Sequence, residues 1–196
     1  MSQHYEVAII VGSLRAQSVN RVAAQALTRL APPNLSFRFV EIGDLPLYNE
    51  DTEAAGPPAA WTRFREEVAG ADAVLFVSPE YNRTMPGALK NALDVGSRPY
   101  GQAAWSGKPA AIMTLSPGGI GGFGANHDIR QALVFLDMPV MQQPEAYVGG
   151  AWGLFDDAGE FKSDDTRKFF AKFIHAFAEW IARTAPVRGD AERVAA

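Results

Sequence analysis

Short apolar runs alternate along the chain with longer stretches in which apolar residues recur every three or four positions. Several of the short runs are apolar at successive positions, a pattern typical of parallel strands that are covered by helices on both faces. They predict strands at Tyr5–Val11, Ser36–Ile42, Ala73–Ser78, Ala110–Leu115 and Pro139–Met141.

Stretches of helical periodicity occupy the segments between these runs and after the last of them. Their apolar residues span Val19–Leu30, Trp61–Val68, Leu89–Leu93, Ile129–Leu136 and Phe169–Ile181. Strands that alternate with helices indicate right-handed crossovers and a doubly wound α/β sandwich. No linker is long enough to divide the chain, so we expect one domain over residues 1–185 and a flexible tail over residues 186–196.

Three unusual loops follow predicted strands, at residues 12–18, 79–85 and 116–124. Ligands of doubly wound sheets bind beyond the carboxyl ends of the strands, near the point where the strand order reverses. The binding site is therefore expected where these three loops meet.

The first loop combines hydroxyl, amide and guanidinium groups just before a helix. The N-terminus of a helix attracts anions through its unpaired N–H groups and its partial positive charge. The further donors offered to a phosphate are Ser13, Arg15, Ser18 and Asn20. Neither a Walker loop nor a glycine-rich dinucleotide turn follows the first strand, so a terminal monophosphate without magnesium, as in FMN, suits this loop. Taken alone, Ser18 is explained equally well as an ordinary helix N-cap.

The second loop, read from residue 78 as SPEYNRTMPGALKNALD, joins a strand to a helix. Pro79 fixes the backbone, and we expect the next three N–H groups, those of Glu80, Tyr81 and Asn82, to point outwards together. Such a row of amides suits the carbonyl and ring-nitrogen acceptors of a flavin, and Tyr81 offers a flat face beside them. In the alternative interpretation, Tyr81 caps the edge of the core and Asn82 closes the turn.

The composition excludes several other kinds of site. The chain of 196 residues has no cysteine, which removes disulfides, thiolate nucleophiles and cysteine-ligated metals. His4, His127 and His175 lack metal-ligand spacing, so no metal site is expected. The net charge of -4 gives no reason to expect nucleic-acid binding. Without a secretory signal pattern or an apolar run of about 18–20 residues, we expect a cytoplasmic protein that does not enter a membrane.

Two motifs together resemble those of the NADPH-dependent FMN reductase family. They are GSLRxxSxN at residues 12–20 and PEYNxxxPGxLKNAxD at residues 79–94. The resemblance extends from Val7 to about Gly150 and implies a flavodoxin-like fold with a five-stranded parallel sheet of order 2-1-3-4-5. It also implies bound FMN, NADPH or NADH as electron donor, a small-molecule acceptor, and a homodimer or homotetramer.

The resemblance further implies which residues bind the cofactor. The residues that would hold the phosphate are Ser13, Arg15, Ser18, Val19 and Asn20. The ring would lie, largely against backbone, at Pro79, Glu80, Tyr81 and Asn82. The other edge of the ring would meet Ser116, Gly118 and Gly119. Arg83, Asp94 and Arg130 are candidates for contacts with NADPH or with a partner subunit. Acceptor preference does not follow, since the chain departs from commoner family residues at Arg83, Thr84 and Val95.

The third loop contains Gly119-x-Gly121-x-x-Gly124, which matches the dinucleotide fingerprint by pattern alone. We reject the match because that fingerprint belongs to the first βαβ unit and its acid ends the next strand, whereas Asp137 precedes the predicted fifth strand. These glycines are expected either to let backbone approach a flat ring or a nicotinamide, or to form a flexible surface loop.

Three functions are weighed on this basis. The first is an FMN-dependent NAD(P)H oxidoreductase that passes electrons to a quinone, an azo compound, a metal oxyanion or free flavin. No catalytic side chain is expected there, because the flavin carries the chemistry. The second is a flavodoxin-like electron carrier without nicotinamide turnover, which the mild net charge of -4 disfavours. The third is a scaffold without flavin, against which the intact first loop argues.

Overall fold

A computed structural model describes residues 3–186, which form a parallel sheet with helices on both faces. The strands are β1 (Tyr5–Val11), β2 (Leu35–Phe39), β3 (Ala73–Ser78), β4 (Ala110–Leu115) and β5 (Ala146–Val148). The helices are α1 (Val19–Leu30), α2 (Glu50–Ala55), α3 (Ala59–Ala69), α4 (Gly87–Gly96), α5 (Phe123–Phe135) and α6 (Asp164–Thr184). The strand order β2-β1-β3-β4-β5 confirms the predicted order 2-1-3-4-5.

Two hydrophobic cores lie on the two faces of the sheet. Side chains alternate along each strand, so that in β1 Ile9 enters one core and Ile10 the other. Helices α1 and α6 cover the first core, which includes Phe173 of α6. Helices α3, α4 and α5 cover the second core, in which Trp61 and Trp105 are fully buried.

The strand register brings three loops to one edge of the sheet. Val11 pairs with Val77, and Ser78 pairs with Thr114, so β1, β3 and β4 end side by side. Loops 12–18, 79–85 and 116–124 therefore leave from the same carboxyl edge, as predicted. The first two flank the boundary between β1 and β3, where the strand order reverses.

The prediction of the fifth strand at Pro139–Met141 is wrong. That segment forms only an isolated bridge between Val140 and Ala110, whereas β5 pairs with Met113–Leu115. Its apolar character reflects burial against the cores rather than strand pairing, since residues 138, 140 and 141 are all buried. Proline lacks the N–H that a ladder needs, and prolines at 139 and 144 interrupt this edge.

Two further elements differ from the predictions. Strand β2 ends at Phe39 rather than at Ile42. Helix α2 was not predicted, because none of its residues is buried and it therefore lacks apolar periodicity. Its sequence signal is Asn49, whose side chain accepts the N–H of Asp51 at 2.8 Å as an N-cap.

Two further expectations concern the C-terminal tail and the membrane. Of the predicted tail 186–196, residues 187–196 lie outside the described residues. The proposed domain boundary near residue 185 therefore stays a prediction. Within residues 3–186, no helix has the length and apolar character that a bilayer crossing requires.

Candidate functional site

The first loop surrounds the N-terminus of α1 with polar groups. Ser18 is the N-cap of this helix, and its Oγ accepts the N–H of Arg21 at 3.3 Å, so the capping interpretation is confirmed. The first turn of α1 contains no acidic residue. The partial positive charge of the helix end and the N–H groups of its first residues thus remain available to an anion.

Other polar groups of this loop lack protein partners within residues 3–186. The side chain of Asn20 is almost wholly buried at 3 % exposure, yet its Oδ1 accepts no hydrogen bond. Ser13 is also buried, at 6 % exposure, and its hydroxyl forms no hydrogen bond to the described residues. Arg15 is exposed and forms no ion pair with them. Because buried polar groups are normally paired, this set suits a ligand that carries both hydroxyls and a phosphate, as FMN does.

Two cavities differ in size and in position. One of 340 Å³ opens beside the first loop, and Ser13 and Arg15 line it. A larger one of 1310 Å³ extends between α4 and α5 and includes Phe135. It reaches Asp72 and Lys108, which precede β3 and β4 at the opposite edge of the sheet. Position outweighs size here, because ligands of such sheets bind at the carboxyl edge.

The second loop forms a two-residue turn of type I′ between Tyr81 and Thr84. The N–H of each residue donates to the carbonyl of the other at 3.0 Å, and the φ angles are 52° at Asn82 and 68° at Arg83. The expected row of three outward N–H groups is therefore wrong for Tyr81, whose N–H is used inside the turn. The alternative in which Asn82 closes the turn is confirmed. The N–H groups of Glu80 and Asn82 pair with no acceptor among residues 3–186.

The carboxylate of Glu80 joins this loop to α5. Its Oε2 accepts the N–H of Ala125 at 3.0 Å in the first turn of the helix, and its Oε1 accepts an N–H of Arg83 at 3.2 Å. The side chain is only 8 % exposed, and both of its oxygens accept hydrogen bonds from other residues of the protein. Because the carboxylate is used within the protein, the backbone of Glu80 is the part left for a ligand, and its contact with the flavin stays a prediction.

A carboxylate of α5 itself, on the second turn of the helix, binds the same loop by hydrogen bonds. Asp128 Oδ2 accepts the hydroxyl of Thr84 and, at 3.0 Å, the N–H of Met85. These residues are separated by more than forty positions in the chain, so no local pattern predicts their contact. The turn is thus tied to α5 on both sides.

The third loop is shaped largely by its own protein contacts. Ser116 Oγ accepts the N–H of Gly118 at 3.2 Å, which closes a local turn. Gly121 has a φ of 67°, and a Cβ at this position would lie 2.4 Å from the carbonyl carbon of Tyr147. The close approach expected of this glycine is therefore made to β5 rather than to a ligand. Gly119, by contrast, faces open space and stays a predicted cofactor contact.

The remaining candidate residues have contacts that the sequence did not indicate. Arg130 donates from Nε to Asn126 at 2.9 Å and from a terminal nitrogen to the carbonyl of Met141 at 3.0 Å. Asp94 pairs with Lys90 at 2.7 Å on α4. Their contacts with NADPH or a partner subunit stay predictions, as does that of the exposed arginine at position 83.

The structure contains an aromatic cluster beside the third loop that was not predicted from the sequence. The ring of Phe123 lies 4.1 Å from that of His127 and 5.1 Å from that of Tyr147, measured between centroids. Phe123 is 45 % exposed at the start of α5 and presents apolar surface near the carboxyl edge. The available signal was the spacing of Phe123 and His127, which puts them on one face of a helix.

Burial, reinforced by the negative charge of Glu145, raises the pKa of Tyr147 to about 12 from its ordinary value of 10.0. Tyrosinate absorbance during alkaline titration of the protein should therefore show a late step near pH 12. We expect Tyr147→Phe to remove this step, whereas Tyr100→Phe, at a position 90 % exposed, should leave it in place. A late step that persists in Tyr147→Phe would refute the assignment.

The raised pKa of Tyr147 also sets the direction of a stability change. Below pH 10 the phenol is protonated in the folded and unfolded states, so its contribution to stability is complete. Between pH 10 and about 12 the unfolded chain loses the proton while the folded chain keeps it, so that contribution is lost as pH rises. Because the ring is partly exposed, we expect the alkaline loss of unfolding free energy to be only about 1 kcal/mol smaller in Tyr147→Phe, measured by urea denaturation.

A parallel sheet of order 2-1-3-4-5, with a polar loop after β1 that leads into a helix and a tight turn after β3, defines a flavodoxin-like α/β protein. The sequence profile of the family described as NADPH-dependent FMN reductase matches residues 5–153. The chain belongs to this family. It is accordingly an NAD(P)H-dependent oxidoreductase whose cofactor is FMN.

Relatives with known names support this assignment over most of the chain. A quinone reductase of Pseudomonas putida is 65% identical over 181 residues, covering 92% of this chain and 97% of the relative. A 2-hydroxy-1,4-benzoquinone reductase of Burkholderia sp is 46% identical over 176 residues, covering 90% and 96% respectively. The solved structure of FerB, a flavoenzyme NAD(P)H:(acceptor) oxidoreductase from Paracoccus denitrificans, superposes with a TM-score of 0.87 at 40% identity, covering 93% of this chain and 100% of that one.

Proposed function

We propose that this protein passes electrons from NAD(P)H through FMN to quinone-type acceptors. The observation that carries the proposal is the set of polar groups without protein partners around the start of α1, namely Ser13, Arg15 and Asn20. The quinone and benzoquinone reductases among the relatives favour a quinone as acceptor. Azo compounds, metal oxyanions and free flavin are further acceptors to be assayed. We propose the cytoplasm as the location, since cells keep NADPH reduced there.

The residues of the chain bind and orient, while the cofactor carries the chemistry. Arg15 and the N-terminus of α1 would hold the phosphate, and the unpaired Oδ1 of Asn20 would accept a hydrogen bond from a hydroxyl of the ribityl chain. The backbone of Glu80 and Asn82 would meet the polar edge of the ring, and Tyr81 would lie beside its face. When bound, the cofactor would supply the two-electron redox chemistry that links the nicotinamide to the acceptor.

The decisive experiment combines absorbance and turnover. Protein mixed with FMN and then desalted should be yellow, and it should oxidise NADPH or NADH when 1,4-benzoquinone is present. Loss of the nicotinamide absorbance band measures the rate. Protein that stays colourless after exposure to FMN contradicts the proposal. Yellow protein that leaves both nicotinamides unoxidised would instead be the electron carrier.

We also propose that the protein is a homodimer or homotetramer, assembled through the exposed face at the end of α5. Tyr100 and Phe135 are each 90 % exposed and both line the larger cavity, and Val134 is 73 % exposed. Large apolar side chains grouped in this way mark interaction surfaces. The C-terminal half of α5 then contacts a second copy of the chain.

We expect Phe135→Glu to weaken this assembly by at least about tenfold in dissociation constant, because a charge would be buried in an apolar interface. Light scattering should give the wild type about two or four times the chain mass of 21.2 kDa. The matched control is Leu47→Glu, at a position 79 % exposed that does not line the larger cavity, which should leave that mass unchanged. A wild-type mass of 21.2 kDa would contradict the proposal.

A further inference from the structure

The turn between Tyr81 and Thr84 has a conformation that its residues do not favour. Both central residues have positive φ angles, 52° at Asn82 and 68° at Arg83. Asparagine tolerates this region, but an arginine adopts it at an energetic cost, and glycine is the usual residue at the second position. Non-glycine residues remain in such conformations only where the surrounding structure fixes them.

The core of the protein does not fix this turn. All four of its residues are exposed, and the next buried residue along the chain is Met85, at 5 % exposure. Two hydrogen bonds between Tyr81 and Thr84 close the turn but do not set its position on the molecule. That position depends on contacts with a different element.

Two carboxylates join the turn to helix α5, one at each end. Glu80 precedes the turn and binds the backbone of α5, and Asp128 is a residue of α5. At the near end, Glu80 accepts the N–H of Ala125 at 3.0 Å. At the far end, a single oxygen of Asp128 accepts both the hydroxyl of Thr84 and the N–H of Met85, the latter at 3.0 Å. A carboxylate that receives two donors makes strong hydrogen bonds and sets both distance and direction.

The structure assigns to Asp128 the role of a positioning residue for the acceptor and nicotinamide site; this rests on the function proposed above. Asp128 lies on the second turn of α5 and belongs to neither binding motif. Its carboxylate hydrogen-bonds Thr84, the last residue of the turn, and Met85, the residue that follows it. By fixing the far end of the turn, it would set the position of Tyr81 relative to the ring of bound FMN. That position would determine the space beside the ring that the nicotinamide and the acceptor occupy one after the other.

Loss of Asp128 is expected to affect the binding of FMN and the binding of the acceptor differently. The phosphate of FMN is bound by the loop after β1, which Asp128 does not contact, so loss of Asp128 leaves most of the affinity for FMN in place. Substrates stack in the slot beside Tyr81 and have no such separate anchor. A displaced turn therefore weakens productive binding of the acceptor while the cofactor stays bound.

The test measures Asp128→Ala against Asp157→Ala, since Asp157 is an exposed carboxylate on a distant surface turn. With rates expressed per bound flavin, we expect Asp128→Ala to raise KM for 1,4-benzoquinone about tenfold, with kcat changed less than about threefold. The affinity for FMN should change less than about threefold, while the visible circular dichroism of the bound flavin should change. Asp128→Asn, which keeps an oxygen acceptor, should recover part of the effect, and Asp157→Ala should match the wild type.

A variant on the exposed side of the contact covers the case in which Asp128→Ala does not fold. Thr84→Val removes only the hydroxyl donor, and we expect it to raise KM in the same direction by a smaller factor. A lower melting temperature with unchanged KM in Asp128→Ala would overturn the proposal, since it would mark a purely structural role. So would an unchanged KM in Thr84→Val if Asp128→Ala cannot be purified.

Hydrogen exchange separates this proposal from the proposed function. In protein without FMN, the amides of residues 80–85 should exchange several-fold faster in Asp128→Ala than in Asp157→Ala or the wild type. If wild-type protein binds no FMN, the proposed function fails, yet this comparison still decides whether Asp128 fixes the turn. If the wild type is active and exchange at 80–85 is unaltered in Asp128→Ala, the positioning role alone fails.

Discussion

Arg15→Ala should weaken FMN binding about 10- to 150-fold, or about 1.5–3 kcal/mol, the usual contribution of a hydrogen bond to a charged group. Arg15 is exposed and has no ion pair among residues 3–186, so its removal leaves no protein group unpaired. The loss is therefore a loss of ligand affinity, and the free energy of unfolding of the cofactor-free protein should not change. Quenching of flavin fluorescence during titration of the protein with FMN measures the dissociation constant.

Arg183→Ala is the matched control, because Arg183 is an exposed arginine near the end of α6 and lies outside the three loops. It removes the same charge from the molecule and should leave the FMN dissociation constant within about twofold of wild type. Equal affinity in Arg15→Ala and Arg183→Ala would show that Arg15 does not bind the phosphate. Added salt should weaken FMN binding by the wild type more than by Arg15→Ala, since the lost contact is between charges.

The largest loss of stability is expected from Gly121→Ala. A Cβ at this position would lie 2.4 Å from the carbonyl carbon of Tyr147, which is backbone and cannot rotate away, and a φ of 67° is unfavourable for alanine. Strain and overpacking together should lower the free energy of unfolding by about 2–4 kcal/mol, measured by urea denaturation of the protein without FMN.

The control lies two residues away in the same loop. At Gly119 a Cβ would meet nothing within 4 Å, and its φ is not positive. We expect Gly119→Ala to change the free energy of unfolding by no more than about 0.5 kcal/mol. Similar losses in both variants would mean that the third loop does not pack against β5 as described.

Local patterns predicted the bounds of the three central strands, placed the edge strand β2 with an end three residues too late, and misplaced the edge strand β5. The bounds of β1, β3 and β4 match the predicted ones, because each is an apolar run buried on both faces and ended by turn residues. Strand β5 has three residues, of which Tyr147 and Val148 are only partly buried, so its pattern is weaker than that of the apolar segment 139–141. Helix α2 has no buried face at all and produces no periodic signal.

In the candidate site, too, local features could be predicted from the sequence and contacts between distant residues could not. The residues of the first loop could be named from the sequence, since helix caps and anion-binding groups follow from neighbouring positions. The use of the Tyr81 N–H could not, because an Asn-Arg pair is an unusual choice for a type I′ turn. The contact from Asp128 to Thr84 joins two elements far apart in the chain, and only the folded arrangement brings them together.

The two cores also differ in their tryptophan content, and therefore in their contribution to the fluorescence of the protein. Trp61 and Trp105 are fully buried in the core under α3, α4 and α5, while Trp180 is only partly buried on the other side and Trp152 is 74 % exposed. Changes in tryptophan emission during denaturation will therefore be dominated by one half of the molecule, whereas far-ultraviolet ellipticity samples every helix. Coincident midpoints from the two signals would show that both halves come apart in a single cooperative event.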